Sequence, residues 1–456
     1  MRNNKGKSGI AIILLAALIL MALVPWFFII MRNLGSDSPA EPTPAPPEEP
    51  AMEITAPTPE PTPEPEPEPE PDEPEPDVEP EPLHEESIIE IAGALPELFR
   101  ELNNLASQYN CVSASLVVFD GDAGEYFTYE FGHADIEARR RVNVDTKFRV
   151  ASLAKLTTVL CAMVLVDDGL LDLDTDISNY FGYEVRNTHY QGTVITARML
   201  MQHTSSLFDS GAFQASRDRN SSEPVRFLLE RGSSFRRNQP GTVFEYSNFG
   251  YAVLGALCER VSGESLDTLA RNRLFEPLGI DAAYVSAHLL DTENIAVIYN
   301  DSHSITRSVQ AQLDVGQSDS LGYDVHLAQG NLTISTVDFA RILVMLGNGG
   351  SLGGVRVLSA DSVNEIHNTD VRGVSYQQGL ATRYSHGDFI ADESFYWHTG
   401  SNYGTFAQYV YSADINRGVV VVTTGATISR LANGMIDVCT DMSHLAWVRT
   451  IPEIQD

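Results

Sequence analysis

The chain has 456 residues, a formal net charge of -32 and a pI near 4.6. It is acidic and shows no basic patch, which excludes nucleic acid as a partner class. Its four cysteines, Cys111, Cys161, Cys258 and Cys439, are widely spaced in apolar contexts with no C-x-x-C pair; this excludes a zinc site or dithiol centre and favours buried free thiols over a disulfide framework.

Residues 1–8 carry Arg2, Lys5 and Lys7, and residues 9–31 form an uncharged run rich in Ile, Leu and Ala. As a helix that run spans about 35 Å, enough for a bilayer core of about 30 Å. The basic flank before it and the acidic chain after it predict a cytoplasmic tail, a transmembrane anchor through the cytoplasmic membrane, and an extracytoplasmic remainder. Trp26-Phe27-Phe28-Ile29-Ile30 close the run with bulky residues, so an uncleaved anchor is expected rather than a signal peptide, whose apolar part is shorter and ends at small residues. Residues 32–84 follow as a disordered linker. The stretch Pro39 to Pro82 alone holds 18 of the 24 prolines and fifteen acidic residues. It lacks the apolar surface that folding requires, and alternating Pro-Glu favours an extended polyproline II spacer of about 100 Å reach. Much of the net charge belongs to this spacer and says little about the partners of the domain beyond it.

Residues 85–456 have ordinary globular composition. Ser87 to Tyr109 reads as an amphipathic helix, and Ser113 to Phe119 and Glu125 to Phe131 read as strands joined by Asp120-Gly121-Asp122-Ala123-Gly124. A helix opening at Ser152 runs through Val166 to a glycine stop at Gly169; it is apolar on all sides and therefore buried between layers. The region from about Ile195 to Gly347 is mostly helical. Strands return at Ser394 to Trp397, Gly404 to Tyr411 and Arg417 to Thr424, and a last helix is expected from Ser429 to Trp447. Early strands, a helical middle and late strands predict an α/β (α+β) fold: one antiparallel sheet flanked by helices and split in sequence by an inserted all-helical region.

Only four lysines occur, against twenty-six arginines, and Lys155 lies three residues after Ser152. Arginine replaces lysine wherever charge alone matters, but not where the amine must be neutral. Residues i and i+3 share a helix face, so the Lys155 amine can reach the Ser152 hydroxyl and activate it as a nucleophile. The N-terminus of a buried helix also favours developing negative charge there. Two further motifs follow in order, Tyr246-Ser247-Asn248 and His398-Thr399-Gly400.

With S-x-x-K, Y-x-N and H-T-G in this order, the chain resembles the serine β-lactamase and penicillin-binding protein superfamily, in the branch of class C β-lactamases and DD-carboxypeptidases. The flanks agree: Ile195-Thr196-Ala197-Arg198-Met199-Leu200-Met201-Gln202-His203-Thr204-Ser205-Ser206-Leu207 resembles I-T-x-x-x-L-L-x-H-T-S-G-L, with Ser206 where glycine is usual. Leu274-Phe275-Glu276-Pro277-Leu278-Gly279-Ile280 resembles F-x-P-L-G-M, and Gly330 to Arg341 resembles G-G-L-x-S-T-x-x-D-L-A-R. The resemblance implies a β-lactamase-like fold, a Ser152 acyl-enzyme, and no metal or organic cofactor. Ser152, Lys155 and Tyr246 are the expected catalytic residues, with either Lys155 or Tyr246 as base and Tyr246 as proton donor to the leaving group. Asn248, His398, Thr399, Gly400 and Ser401 are the expected substrate-binding residues. Asn248 is to bond Lys155 or the substrate amide, and the oxyanion hole is to use the N–H groups of Ser152 and Ser401. Gly400 is to leave room for substrate along the strand edge. A partly charged histidine at His398, where potent β-lactamases carry lysine, implies DD-carboxypeptidase-like action on peptidoglycan stem peptides. The alternatives are a β-lactamase, a carboxylesterase, or a non-hydrolytic penicillin-binding or wall-binding module.

Overall fold

A computed structural model describes residues 95–450 apart from 123, 219–224 and 373–374. The expected tail, anchor and linker, and residues 85–94, lie outside the described residues; among those described, no helix is long and apolar enough to cross a membrane. The first described helix, α1, runs Leu95–Gln108. Strands β1 (Ser113–Asp120), β2 (Glu125–Asp135) and the short β3 (Arg140–Arg141) follow. Then come α2 (Ala154–Asp167), α3 (Asn248–Ser262) and α4 (Thr336–Gly347) with shorter helices between them. The chain returns to the sheet through β4 (Val371–Arg372), β5 (Gln377–Gln378), β6 (Arg383–His386), β7 (Ser394–Asn402), β8 (Thr405–Ser412) and β9 (Arg417–Thr424), and ends in α5 (Asp437–Thr450).

The nine strands form one sheet in the order β4-β5-β6-β7-β8-β9-β1-β2-β3, antiparallel throughout. The last long strand pairs with the first, Ser113 opposite Thr424 and Asp120 opposite Arg417, so the sheet is closed across the whole inserted region. The antiparallel sheet split by a helical insertion is thus as expected. Side chains of a strand alternate between faces, and here both faces are covered. Leu116 and Val118 of β1 and Val419 and Val421 of β9 pack with α1 and α5, whereas Val117, Phe119, Val420 and Val422 join the core of the helical region. A strand buried on both faces needs no polar residue in its middle, which explains the unbroken apolar runs Leu116–Phe119 and Val419–Val422.

Helix α2 is buried from Ala154 to Leu165, as its all-round apolar sequence requires, and packs against α3. It ends at Asp168 with Gly169 in the left-handed conformation (φ 70°). Three boundaries differ from expectation. Ser152 lies on a 3-10 turn, Ala151–Leu153, that feeds α2 and is not part of it. Strand β7 continues through the polar His398–Asn402 instead of stopping at Trp397, because β8 pairs with it from Tyr396 through Asn402. The last helix begins at Asp437, after a loop closed by the Arg430–Ile436 bridge. All four cysteines are buried free thiols.

Candidate active site

The site lies where the Ala151–Leu153 turn meets the edge of β7. Strand β6 pairs only with Ser394–Trp397, so beyond Trp397 one edge of β7 has no strand partner, and the Ser152 turn packs against it. Ala151 takes a left-handed conformation (φ 50°), an uncommon backbone state for a residue with a Cβ and a kind of strain that clusters at functional sites. Gly400 permits the approach. A Cβ on it would stand 2.4 Å from the Val150 carbonyl oxygen and 3.3 Å from the Ser152 nitrogen. The room expected here for substrate is therefore taken by the nucleophile's own turn, and Gly400 serves to seat that turn. The same contact sets the Ser152 backbone against the strand that carries Ser401.

Ser152 is partly exposed and receives two neighbours. The Lys155 amine lies 3.1 Å from its Oγ, and the Tyr246 hydroxyl donates to Oγ at 2.9 Å. Lys155 is fully buried. Its Nζ also donates to Asn248 Oδ1 at 2.8 Å and to the Gln329 carbonyl at 2.6 Å. The two carbonyl acceptors claim two N–H bonds. A neutral amine has only those two hydrogens, so its lone pair alone is left for the remaining neighbour, Ser152 Oγ, and the site is built to aim that lone pair at the hydroxyl.

The amide of Asn248 is itself oriented. Its Nδ2 donates to Asp209 Oδ2 at 2.7 Å, and Asp209 Oδ1 accepts from the Phe249 N–H at 2.9 Å at the start of α3. The Asp209 carboxylate thus holds the carbonyl end of Asn248 toward Lys155. His203, φ 58°, accepts the Ser247 N–H on Nδ1 at 3.1 Å and lies 4.4 Å from the Tyr246 ring. It positions the segment that carries Tyr246. Ser206 takes a left-handed backbone (φ 65°), the conformation glycine adopts most readily, and accepts a hydrogen bond from Asn187 at 2.8 Å.

His398 departs from expectation. It is buried, its Nδ1 meets the Thr399 carbonyl at 2.8 Å, and its Nε2 has no hydrogen-bond partner among the described residues. Burial first, then the neighbouring Arg383, Lys155 and His203, hold its pKa well below the usual 6.5. It is neutral near pH 7 and supplies no partial cation. His203 is lowered in the same direction, by burial and then by Lys155 and Arg383. On the Tyr246 side of the site a cation is supplied by Arg383 on β6, buried, with its guanidinium 5.9 Å from the Tyr246 ring centre, 5.0 Å from Trp397 and 4.6 Å from Tyr376. Its Nε has no hydrogen-bond partner among the described residues.

Of the residues expected from sequence, Ser152, Lys155, Tyr246 and Asn248 meet in one hydrogen-bonded cluster. His398 lies 6.2 Å from Tyr246, ring to ring. Ser401 shares a cavity wall with Ser152, and Thr399 is buried, its carbonyl turned to His398. Sequence reasoning missed Asp209, Gln329 and Arg383. Asp209 follows the His203-Thr204-Ser205-Ser206-Leu207 stretch by two residues and was open to suspicion there; Gln329 acts through its backbone and Arg383 lies outside every motif. Among the described residues, no group of three or more His, Cys, Asp or Glu is arranged to hold a metal ion.

Residues 95–435 match the family described as beta-lactamase. Penicillin-binding protein 4 of Amycolatopsis lactamdurans is 28% identical over 309 residues, which is 66% of this chain and 78% of that one. Esterase EstB of Burkholderia gladioli is 32% identical over 186 residues, 37% of this chain and just under half (46%) of that protein. In shape, the beta-lactamase/D-alanine carboxypeptidase from Pseudomonas syringae superposes with a TM-score of 0.61 at 17% identity, covering 78% of this chain and 99% of that one; at that identity the likeness speaks to the fold alone.

Proposed function

The chain belongs to the β-lactamase family and is a serine hydrolase; from that premise we propose that it is a DD-carboxypeptidase-like enzyme acting on peptides that end in D-Ala-D-Ala. Ser152 Oγ attacks the scissile carbonyl while Lys155 takes its proton through the lone pair that Asn248 and Gln329 leave free. The oxyanion is received by the N–H groups of Ser152 and Ser401. Tyr246, bonded to the same oxygen, passes a proton to the leaving amine, and water then releases the acyl group from Ser152.

The observation that carries the peptide reading is Arg383. The leaving group of a carboxypeptidase bears a carboxylate beside the amine that Tyr246 protonates. A permanent guanidinium next to the Tyr246 ring suits that carboxylate in a way that a neutral His398 does not. A carboxylesterase is the second reading, supported by the similarity to the esterase from Burkholderia gladioli. The location belongs to the proposal as well: residues 9–31 hold the chain in the cytoplasmic membrane and the Pro/Glu tract spaces the catalytic domain outside it, a reading supported by the basic flank and the length of the apolar run.

The deciding experiment is intact-protein mass after mixing the protein with benzylpenicillin, beside a Ser152→Ala control, followed by D-alanine release from a D-Ala-D-Ala peptide. A persistent adduct on the unmutated protein only, with D-alanine released, is the expected result. Drug consumed without an adduct makes it a β-lactamase. Turnover of p-nitrophenyl esters with drug and peptide untouched makes it an esterase.

A further inference from the structure

Beside Ser152 the surface opens into a cavity of about 350 Å³, walled by Ser152, Asn248, Ser401, Arg149, Arg307 and Tyr403 among others. That is the size of a small-molecule site. Two permanent cations lie against one ring there: the Arg307 guanidinium is 3.7 Å from the Tyr403 ring centre and that of Arg149 is 5.3 Å from it. Tyr403 is turned into this position by a left-handed backbone (φ 56°). Arg307 donates through Nη1 to the Thr306 carbonyl at 2.8 Å, and Arg149 through Nε to the Gly330 carbonyl at 3.1 Å. Stacking on an aromatic face orients the Arg307 guanidinium and leaves its in-plane N–H donors available for a bidentate acceptor. Among the described residues that line the cavity, one carboxylate, Asp314, is exposed and accepts from Gln310 at 2.7 Å. Arg307 thus brings a permanent positive charge to this corner in a chain of net charge -32.

The direction of the cavity follows from the proton path. Tyr246, which serves the leaving group, stands outside the cavity wall, as do His398 and Arg383. The cavity opens instead on the side of Asn248, Gln329 and Ser401. The part of the substrate that enters it is therefore the part that stays on Ser152 as the acyl group. We propose that this cavity is an acyl-side subsite selecting substrates whose acyl portion carries a carboxylate, received by Arg307 with Arg149 beside it. The assignment rests on the serine hydrolase reading above and adds a substrate class to it: a peptide or ester with an acidic group on the acyl side of the scissile bond.

The test uses matched acyl donors on the full chain, mono-p-nitrophenyl glutarate against its neutral methyl ester. The expected kcat/KM ratio favours the acid by about tenfold at low salt, the factor that about 1.4 kcal/mol of binding gives. The ratio shrinks as salt screens the charges, and Arg307→Gln brings it close to one. Arg307 suits the substitution because it donates to the carbonyl of its own neighbour Thr306, whereas Arg149 ties down Gly330. A ratio of one or below in the unmutated protein, or a ratio unchanged by R307Q, overturns the proposal. A binding arm separates this from failure of the hydrolase reading. Monomethyl glutarate and dimethyl glutarate are titrated into the Ser152→Ala protein and followed by NMR. If neither ester is hydrolysed yet the acid binds about tenfold more tightly than the diester, and R307Q abolishes the difference, the subsite stands and the catalytic reading falls. Equal binding of the two refutes the subsite whatever the ester kinetics show.

Discussion

Replacing Lys155 by arginine tests the chemistry most directly, because it keeps the charge and removes the lone pair. Nζ has three oxygen neighbours: Asn248 Oδ1 at 2.8 Å, the Gln329 carbonyl at 2.6 Å and Ser152 Oγ at 3.1 Å. A guanidinium can still donate to the first two and cannot accept from the third at any workable pH. Loss of a positioned general base costs about 10²–10⁴ in rate. The larger head must also fit where Nζ stands 5.0 Å from the Tyr246 ring centre and 5.3 Å from that of Tyr251; overpacking of this kind costs about 1–3 kcal/mol of stability. The expected result is a folded protein with a lower melting temperature and a rate of Ser152 acylation by benzylpenicillin, or of p-nitrophenyl ester hydrolysis, reduced by about 10²–10⁴. Lys155→Met, which has neither charge nor a basic nitrogen, is the companion variant and should lose as much. If K155R retains activity within about tenfold of the unmutated protein, Lys155 is not the base, and the role passes to Tyr246, the other group bonded to Ser152 Oγ.

Three further outcomes are expected. Asp209→Ala removes the acceptor that orients Asn248; with hydrogen bonds to charged groups worth about 1.5–3 kcal/mol, kcat should fall about 10–100-fold with KM little changed, whereas a drop in melting temperature with kcat intact would show a purely structural role. Gly400→Ala drives a Cβ against the Val150 carbonyl, so the melting temperature and the acylation rate should fall together, and a variant acylated at the normal rate contradicts the seating of the nucleophile's turn on this glycine. The third concerns acid. His203 and His398 are held neutral in the fold, with pKa values below the 6.5 of the unfolded chain, so below that pH the unfolded chain binds more protons. Stability is full above about pH 6.5 and declines as pH falls, by up to about 1.4 kcal/mol per pH unit for each histidine. Urea melts between pH 7 and pH 5 should show this slope, and His398→Gln should flatten it; an equal slope in both proteins refutes burial of a neutral His398 as a cause.

The local order of the chain was legible because it is written in short-range chemistry. The spacing of Ser152 and Lys155 puts an amine one turn from a hydroxyl, and the apolar run of α2 demands burial wherever it lies. Alternation and turn residues mark β1, β2, β8 and β9, and their place before and after a helical stretch implies a split sheet. What went astray was decided by contacts distant in sequence. His398–Asn402 is polar and reads as the end of a strand, but a partner strand carries β7 through it. Gly400 reads as space for a ligand until the Val150 carbonyl occupies that space. His398 reads as a partial cation until burial beside Arg383 and Lys155 makes its charged form too costly. Arg383 and Asp209 reach the site by sheet register and loop path, neither of which leaves a local pattern. The sequence by itself determined which groups could react, since a nucleophile, an amine and a phenol are covalent facts. Only the tertiary structure decided which of them meet, which are charged and which side of Ser152 is open, because distance and desolvation arise when segments far apart in the chain pack together.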